Sequence, residues 1–175
     1  MATNLEFIKE TITTVDRQTS VSLTDCFSDQ YDVYAIIANV QTYNTSAQEV
    51  DFRLIDSGGN IISDAEYDYA FYQLRSNASF NEVKETGQTN WDRPFATADF
   101  PPETAQGIMY LYSPADSSSF TFATSQSASM NNNASLRGGK FTGVHKVTEQ
   151  ITGFSIFMSS NSIGIGTSLK VYGVK

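Results

Sequence analysis

The sequence alternates apolar and polar residues in short runs from one end to the other, and turn residues interrupt every run. An alternation of period two puts successive side chains on opposite sides of an extended strand. Glu6 to Val15 is the first expected strand, because Thr11-Ile12-Thr13-Thr14-Val15 is a β-branched run that favours extended backbone over helix. Val21 and Leu23 mark a short second strand. Tyr31 to Gln41 has a continuous apolar middle, which predicts a central strand covered on both faces. Val50, Phe52 and Leu54 alternate with Asp51, Arg53 and Ile55. Asp56-Ser57-Gly58-Gly59-Asn60 then supplies a tight reversal, and Ile61-Ile62 starts the return. Tyr67, Tyr69 and Phe71 share one side of the next strand, opposite Asp68 and Ala70.

Residues 75 to 106 are the least regular stretch, with turn chemistry at Ser76-Asn77, Gly87 and Asn90. Pro101-Pro102 closes it, since proline cannot donate to a central ladder. A loop of that length is expected to be functional or partly folded. Gly107 to Ser113 reads as a strand with Ile108, Tyr110 and Tyr112 on one face and Met109 and Leu111 on the other. Phe120 and Phe122 mark another strand, and Ser125 to Ser135 reads as a polar connection. Lys140 to Val147 and Ile151 to Met158 follow, and Ile163 to Val174 closes the series with Ile163, Ile165, Leu169 and Val171 in one parity. The sum is eight to ten strands and no long helix. It predicts an all-β, antiparallel β-sandwich, of which the jelly roll is one form. The 175 residues fit one domain, 1–175, with no linker or fixed-period repeat.

Composition narrows the function. Charged residues are 17% of the chain and the net charge is -8. Such a chain repels phosphate backbones and anionic lipid, so neither nucleic acid nor membrane is an expected partner. No basic, apolar leader is visible at the start. Cys26 is the one cysteine and sits beside Leu23 and Phe27, as a small buried hydrophobe would. His145 is the one histidine, with Glu149 and Thr148 near it in no known catalytic motif. There is no Gly-x-Ser-x-Gly elbow, and Ile163-Gly164-Ile165-Gly166 lies in a strand pattern without a following helix. Asp64, Glu66 and Asp68 alternate, as a solvated strand face does, although oxygen ligands at that spacing also suit weak calcium binding. The expectation is a non-enzyme with no cofactor and no metal.

Trp91, in Asn90-Trp91-Asp92-Arg93-Pro94-Phe95, is the residue with two opposed readings. It is either an exposed platform beside Arg93 for stacking on a sugar or a protein, or an anchor that pins its loop to the core. Tyr67, Tyr69 and Tyr72 are the other candidate ligand or interface residues.

Three ordered stretches carry a family resemblance. Ser20-Val21-Ser22-Leu23-Thr24-Asp25 leads to Tyr31-Asp32-Val33-Tyr34, Tyr110-Leu111-Tyr112-Ser113-Pro114 follows, and Ile151 to Ser160 precedes Gly166-Thr167-Ser168-Leu169-Lys170-Val171-Tyr172-Gly173-Val174-Lys175. Together they resemble jelly-roll structural proteins of tailed bacteriophage virions, marine phages especially, over most of the chain. The resemblance implies a domain on the exterior of the phage particle and no catalytic residues. The chain shows no fibre shaft and no coiled-coil heptad. The version implied is therefore a capsid decoration or cement protein, contacting the major capsid protein or another virion protein and other copies of itself, as a trimer. The alternative is a carbohydrate- or receptor-binding module of a tail, knob or fibre, with a glycan as ligand.

Overall fold

A computed structural model describes residues 4–43, 48–95, 97–98, 104–130, 135–158 and 163–175. The Pro101-Pro102 stop lies outside the described residues. The described chain is all strand and turn. In order the strands are β1 (Leu5–Ile12), β2 (Ser20–Leu23), β3 (Val33–Val40), β4 (Gln48–Glu49), β5 (Asp51–Asp56), β6 (Tyr67–Arg75), β7 (Asn81–Gln88), β8 (Thr97–Ala98), β9 (Ala105–Tyr112), β10 (Thr121–Met130), β11 (Leu136–His145), β12 (Ile151–Phe157) and β13 (Ser168–Val174). Among the described residues no helix is long and apolar enough to cross a membrane.

Two antiparallel sheets of unequal width form the sandwich. The large sheet has the order β1-β13-β3-β9-β10-β11-β6-β7, and the small sheet has the order β2-β12-β5. Strands β4 and β8 form a separate short pair. The pairings nest: β1 with β13, β2 with β12, and β6 with β11. That nesting of early strands with late ones is the jelly-roll arrangement expected from the sequence.

The core lies between the sheets. Phe52 of β5 stacks on Phe154 of β12 at 4.9 Å, and Phe27 meets Tyr34 of β3 edge-on at 4.9 Å. Tyr67 ties the layers with its hydroxyl. That oxygen accepts from the Leu54 backbone N–H at 3.1 Å and donates to the Ile62 carbonyl at 3.1 Å. Buried polar groups need such partners, because each unmade bond costs about 1–3 kcal/mol. The reversal at residues 56–60 folds as expected: the Asp56 carboxylate accepts from the Asn60 backbone N–H at 2.8 Å, and Gly59 takes φ +80°.

Four sequence expectations are corrected. Residues 81–88 form a regular strand inside the stretch read as irregular. Their sequence, NEVKETGQ, lies at the sheet edge and is largely exposed, so it carries no strong alternation. Residues 125–130, read as a polar connection, continue β10, whose buried positions are filled by Thr121, Ala123, Ser125 and Ser129. Small side chains on the inward face hid the period. Ile165 is 56% exposed although Ile163, Leu169 and Val171 of the same parity are buried, because it lies in a turn closed by the Thr167 N–H donating to the Gly164 carbonyl and not in a strand. Strand β3 is covered on one face only, and Ile37 on its other face is 38% exposed.

Candidate interaction surface

The sheet widths create the main surface feature. A three-stranded sheet packs on one side of an eight-stranded one, and the other side of the large sheet has no layer over it among the described residues. Towards one end of that side the outward side chains are apolar where a solvated antiparallel face carries polar ones, while Asn39, Gln106, Gln126, Lys140 and Lys170 make the other end polar. Across six neighbouring strands, one row runs Leu5, Val174, Val33, Tyr112, Phe122 and Val144. The next outward row begins Phe7, Tyr172, Ala35 and Tyr110, and a third brings Ile37 beside Ile108. Phe7 is 55% exposed and Phe122 is 51% exposed. Phe7 and Tyr172 meet edge-on at 5.7 Å, and the Tyr112 hydroxyl shares a 3.1 Å hydrogen bond with Thr124.

Contiguous exposed apolar area of this kind marks binding surfaces. Its charges are close to balanced. Lys170 pairs with Glu10 at 3.3 Å and Lys146 with Asp68 at 2.8 Å, while Lys84 and Lys140 flank Tyr72 and Glu82. The chain as a whole carries -8, so the acidic excess lies away from this face.

The tyrosine trio divides between the two sides of β6. Tyr67 is fully buried. Tyr69 is half-buried on the inner side, stacked on Phe141 at 6.1 Å, and burial pushes its hydroxyl up to about 12. Tyr72 points outward, with Phe80 edge-on at 5.5 Å, beside a shallow depression lined by Ala70, Glu82, Lys84, Lys140 and Thr142. Trp91 is fully buried. Its ring stacks on Phe52 at 5.7 Å, meets Tyr67 edge-on at 5.6 Å, and its Nε1–H donates to the Val144 carbonyl at 3.4 Å. Of the two sequence readings, this geometry is that of the loop anchor. A reciprocal backbone pair between Trp91 and Phe52, at 2.9 and 3.0 Å, adds its segment to the edge of the small sheet. Cys26 is buried as expected, and that burial pushes its thiol up to about 12.

Arg93 adopts φ +55° and lies 5.0 Å above the Phe71 ring. It pairs with Glu49 at 2.9 Å and Asp92 at 3.0 Å. One guanidinium thus faces three acids, because Asp51 also hydrogen bonds Asp92. Burial first, then the Asp92 charge and hydrogen bond, then Glu49, push the Asp51 carboxyl up to about 8, against the pull of Arg93. Its pKa is higher folded than unfolded, so the protonated form stabilises the fold. That contribution is complete below about pH 4 and is lost as pH rises towards 8. The limiting slope for one proton is about 1.4 kcal/mol per pH unit. The melting temperature is expected to fall by several degrees between pH 5 and pH 8, and Asp51→Asn to flatten that fall. Circular-dichroism melts of both proteins at the two pH values check this; equal slopes would remove Asp51 as the cause.

Sequence reasoning missed the uncovered face, although its residues, Leu5 apart, were assigned to strands. The signal was present in the outward parity of Tyr110, Tyr112 and Phe122, which is as aromatic as the inward one. It also missed that Glu66, His145 and Glu149 come together. His145 is fully buried with Nε2 at 3.1 Å from Glu66 and 3.6 Å from Glu149.

No protein-family model matches the chain, and no curated protein matches it. Among solved structures, the fold compares with the CBM2 module of the evolved Dit of Lactobacillus casei BL23 phage J-1, at 8% identity and a TM-score of 0.28, over 99% of this chain and 77% of that one.

Proposed function

We propose that this chain is a structural protein of a tailed-phage virion that assembles through the uncovered face of its large sheet. The observation that carries the reading is the six-strand apolar row from Leu5 to Val144. The sequence resemblance supplies the virion setting. The occupant of the face is a second copy of the same chain. Copies of a molecule with charge -8 repel one another in most orientations, and contact is favourable where charges cancel and apolar area is offered. On the particle, a closed trimer seated on the exterior of the capsid is the proposed form, with the decoration protein gaining affinity from several simultaneous contacts. The role is binding and packing, with no reaction catalysed.

Light scattering during size-exclusion chromatography tests this. The wild-type protein is expected to elute as an oligomer, with a trimer giving three times the 19.3 kDa chain mass. Phe122→Asp and Phe7→Asp change side chains that are half-exposed in the monomer, so the fold is retained. Each is expected to weaken self-association by roughly thirtyfold or more, the effect of removing an aromatic anchor worth ~2 kcal/mol. A wild-type protein that stays monomeric from micromolar to near-millimolar concentration overturns the proposal.

The glycan-binding alternative rests on one feature, the exposed Tyr72–Phe80 pair beside Glu82, Lys84 and Lys140. Aromatic faces with adjacent polar groups suit sugar rings. A glycan-array signal that disappears in Tyr72→Ala would favour that module over the decoration protein.

A further inference from the structure

We propose that Glu66, His145 and Glu149 form a binding site for a borderline divalent metal ion, zinc foremost, that clips the two sheets together at one end of the sandwich. The site is independent of the assembly face. His145 is the last residue of β11, Glu66 immediately precedes β6, and Glu149 lies in the connection from β11 to β12. A backbone hydrogen bond from the Lys146 N–H to the Glu66 carbonyl, 2.9 Å, holds the first two together. The third belongs to the segment that crosses from the large sheet to the small one.

The geometry suits a metal. One ligand atom from each of the three residues falls within 4.8 Å of the others. Zinc binds nitrogen and carboxylate oxygen at about 2.0–2.2 Å, which sets tetrahedral ligand atoms roughly 3.3 Å apart. The Nε2 distances of 3.1 and 3.6 Å to the two carboxylates straddle that value. Both carboxylates are 30% exposed, so an ion has a path in and room for water as further ligand. A donor set of one imidazole and two carboxylates favours zinc or a similar transition ion over calcium or magnesium, which take oxygen ligands alone.

The electrostatics leave a place for positive charge. Among the described residues, no lysine or arginine lies within ion-pair distance of Glu66 or Glu149; Lys146 turns instead to Asp68. Burial first, then the charge of Glu66, with Asp56 and Asp64 behind it, raises the Glu149 carboxyl above its ordinary value. Burial of the His145 ring disfavours imidazolium and lowers its pKa. In the metal-free chain an Nε2–H donates to the Glu66 carboxylate at 3.1 Å; a metal ion would take the place of that proton between the ring and the two carboxylates. His145 Nδ1 itself has no hydrogen-bond partner among the described residues.

The test uses the full chain after EDTA treatment. Zinc chloride is expected to raise the melting temperature by several degrees with one ion per chain, and calcium or magnesium chloride at equal concentration to leave it unchanged. Cobalt is expected to bind with visible absorption of a low-coordinate site. Glu66→Gln and Glu149→Gln, both at partly exposed positions, are expected to melt like wild type without metal and to bind zinc at least ~10-fold more weakly. Zinc without effect on the melting temperature of the wild type overturns the proposal. So does a zinc response that is as strong in both variants as in the wild type, which would mean adsorption elsewhere on an acidic surface.

Discussion

Replacing Trp91 with alanine is expected to destabilise the protein by about 3–5 kcal/mol, the range for removing a large aromatic side chain from a packed core. For a chain of this size that lowers the melting temperature by roughly 10 °C. The reason is where the indole sits. It is fully buried, stacks on Phe52, meets Tyr67 and Phe141 edge-on, and carries the backbone pairing that attaches its loop to β5. Its loss leaves a cavity at the point where small sheet, large sheet and loop meet. Urea unfolding followed by far-ultraviolet circular dichroism measures the effect, since the variant has no tryptophan left to report. The wild-type indole, conversely, is expected to resist acrylamide quenching and to ignore added sugars. A change below 1 kcal/mol, or fluorescence that responds to a glycan, would return Trp91 to the surface.

The second large effect is expected at Gly153, where alanine should cost about 3 kcal/mol, at the upper end of ordinary overpacking. A Cβ built there would collide with the Leu23 carbonyl oxygen and lie 2.9 Å from the Thr24 Cα. Both contacts are backbone, so no side chain can rotate away. Strand β2 would have to separate from β12, at the same place where the register of β12 against β5 on its other side shifts between Ile151 and Gly153. Gly138→Ala is the control: its added methyl would meet atoms no nearer than 3.5 Å, and its effect should stay within about 0.5 kcal/mol. Equal losses at the two positions would show that strand glycines matter here for entropy alone.

Most of the strand pattern was legible because a strand with one buried face advertises itself every second residue. Ser20 to Leu23, Ala105 to Tyr112 and Ser168 to Val174 are all of this kind. The two missed strand segments lack that contrast. Residues 81–88 sit at an edge with little to bury, and residues 125–130 bury serine. The tyrosines of β6 were separable by parity, since Tyr67 and Tyr72 differ by an odd number and fall on opposite sides. Trp91 was not: a single aromatic residue in a turn-rich segment carries no period, and only the neighbours it meets in space decide its side. The same holds for Glu66 and His145, which are far apart in sequence and adjacent only through the pairing of β6 with β11. Alternation fixes which way a side chain points, but not which distant strand it will lie beside.

The nested pairing also dictates an order of events. Leu5 lies against Val174, and β13 fills the space between β1 and β3. Those two early strands therefore have no direct ladder to share, and must wait for residues 168–174 to arrive. Loop closure over nearly the whole chain precedes the contacts that reward it, which places this protein among slow folders, on millisecond-to-second scales. During that wait the aromatic rows of β9 and β10 are already present, while the strand that separates β1 from β3 is not. Production at high expression rates thus exposes adhesive strand edges on half-made sheets, and lower temperature or slower synthesis should raise the soluble yield.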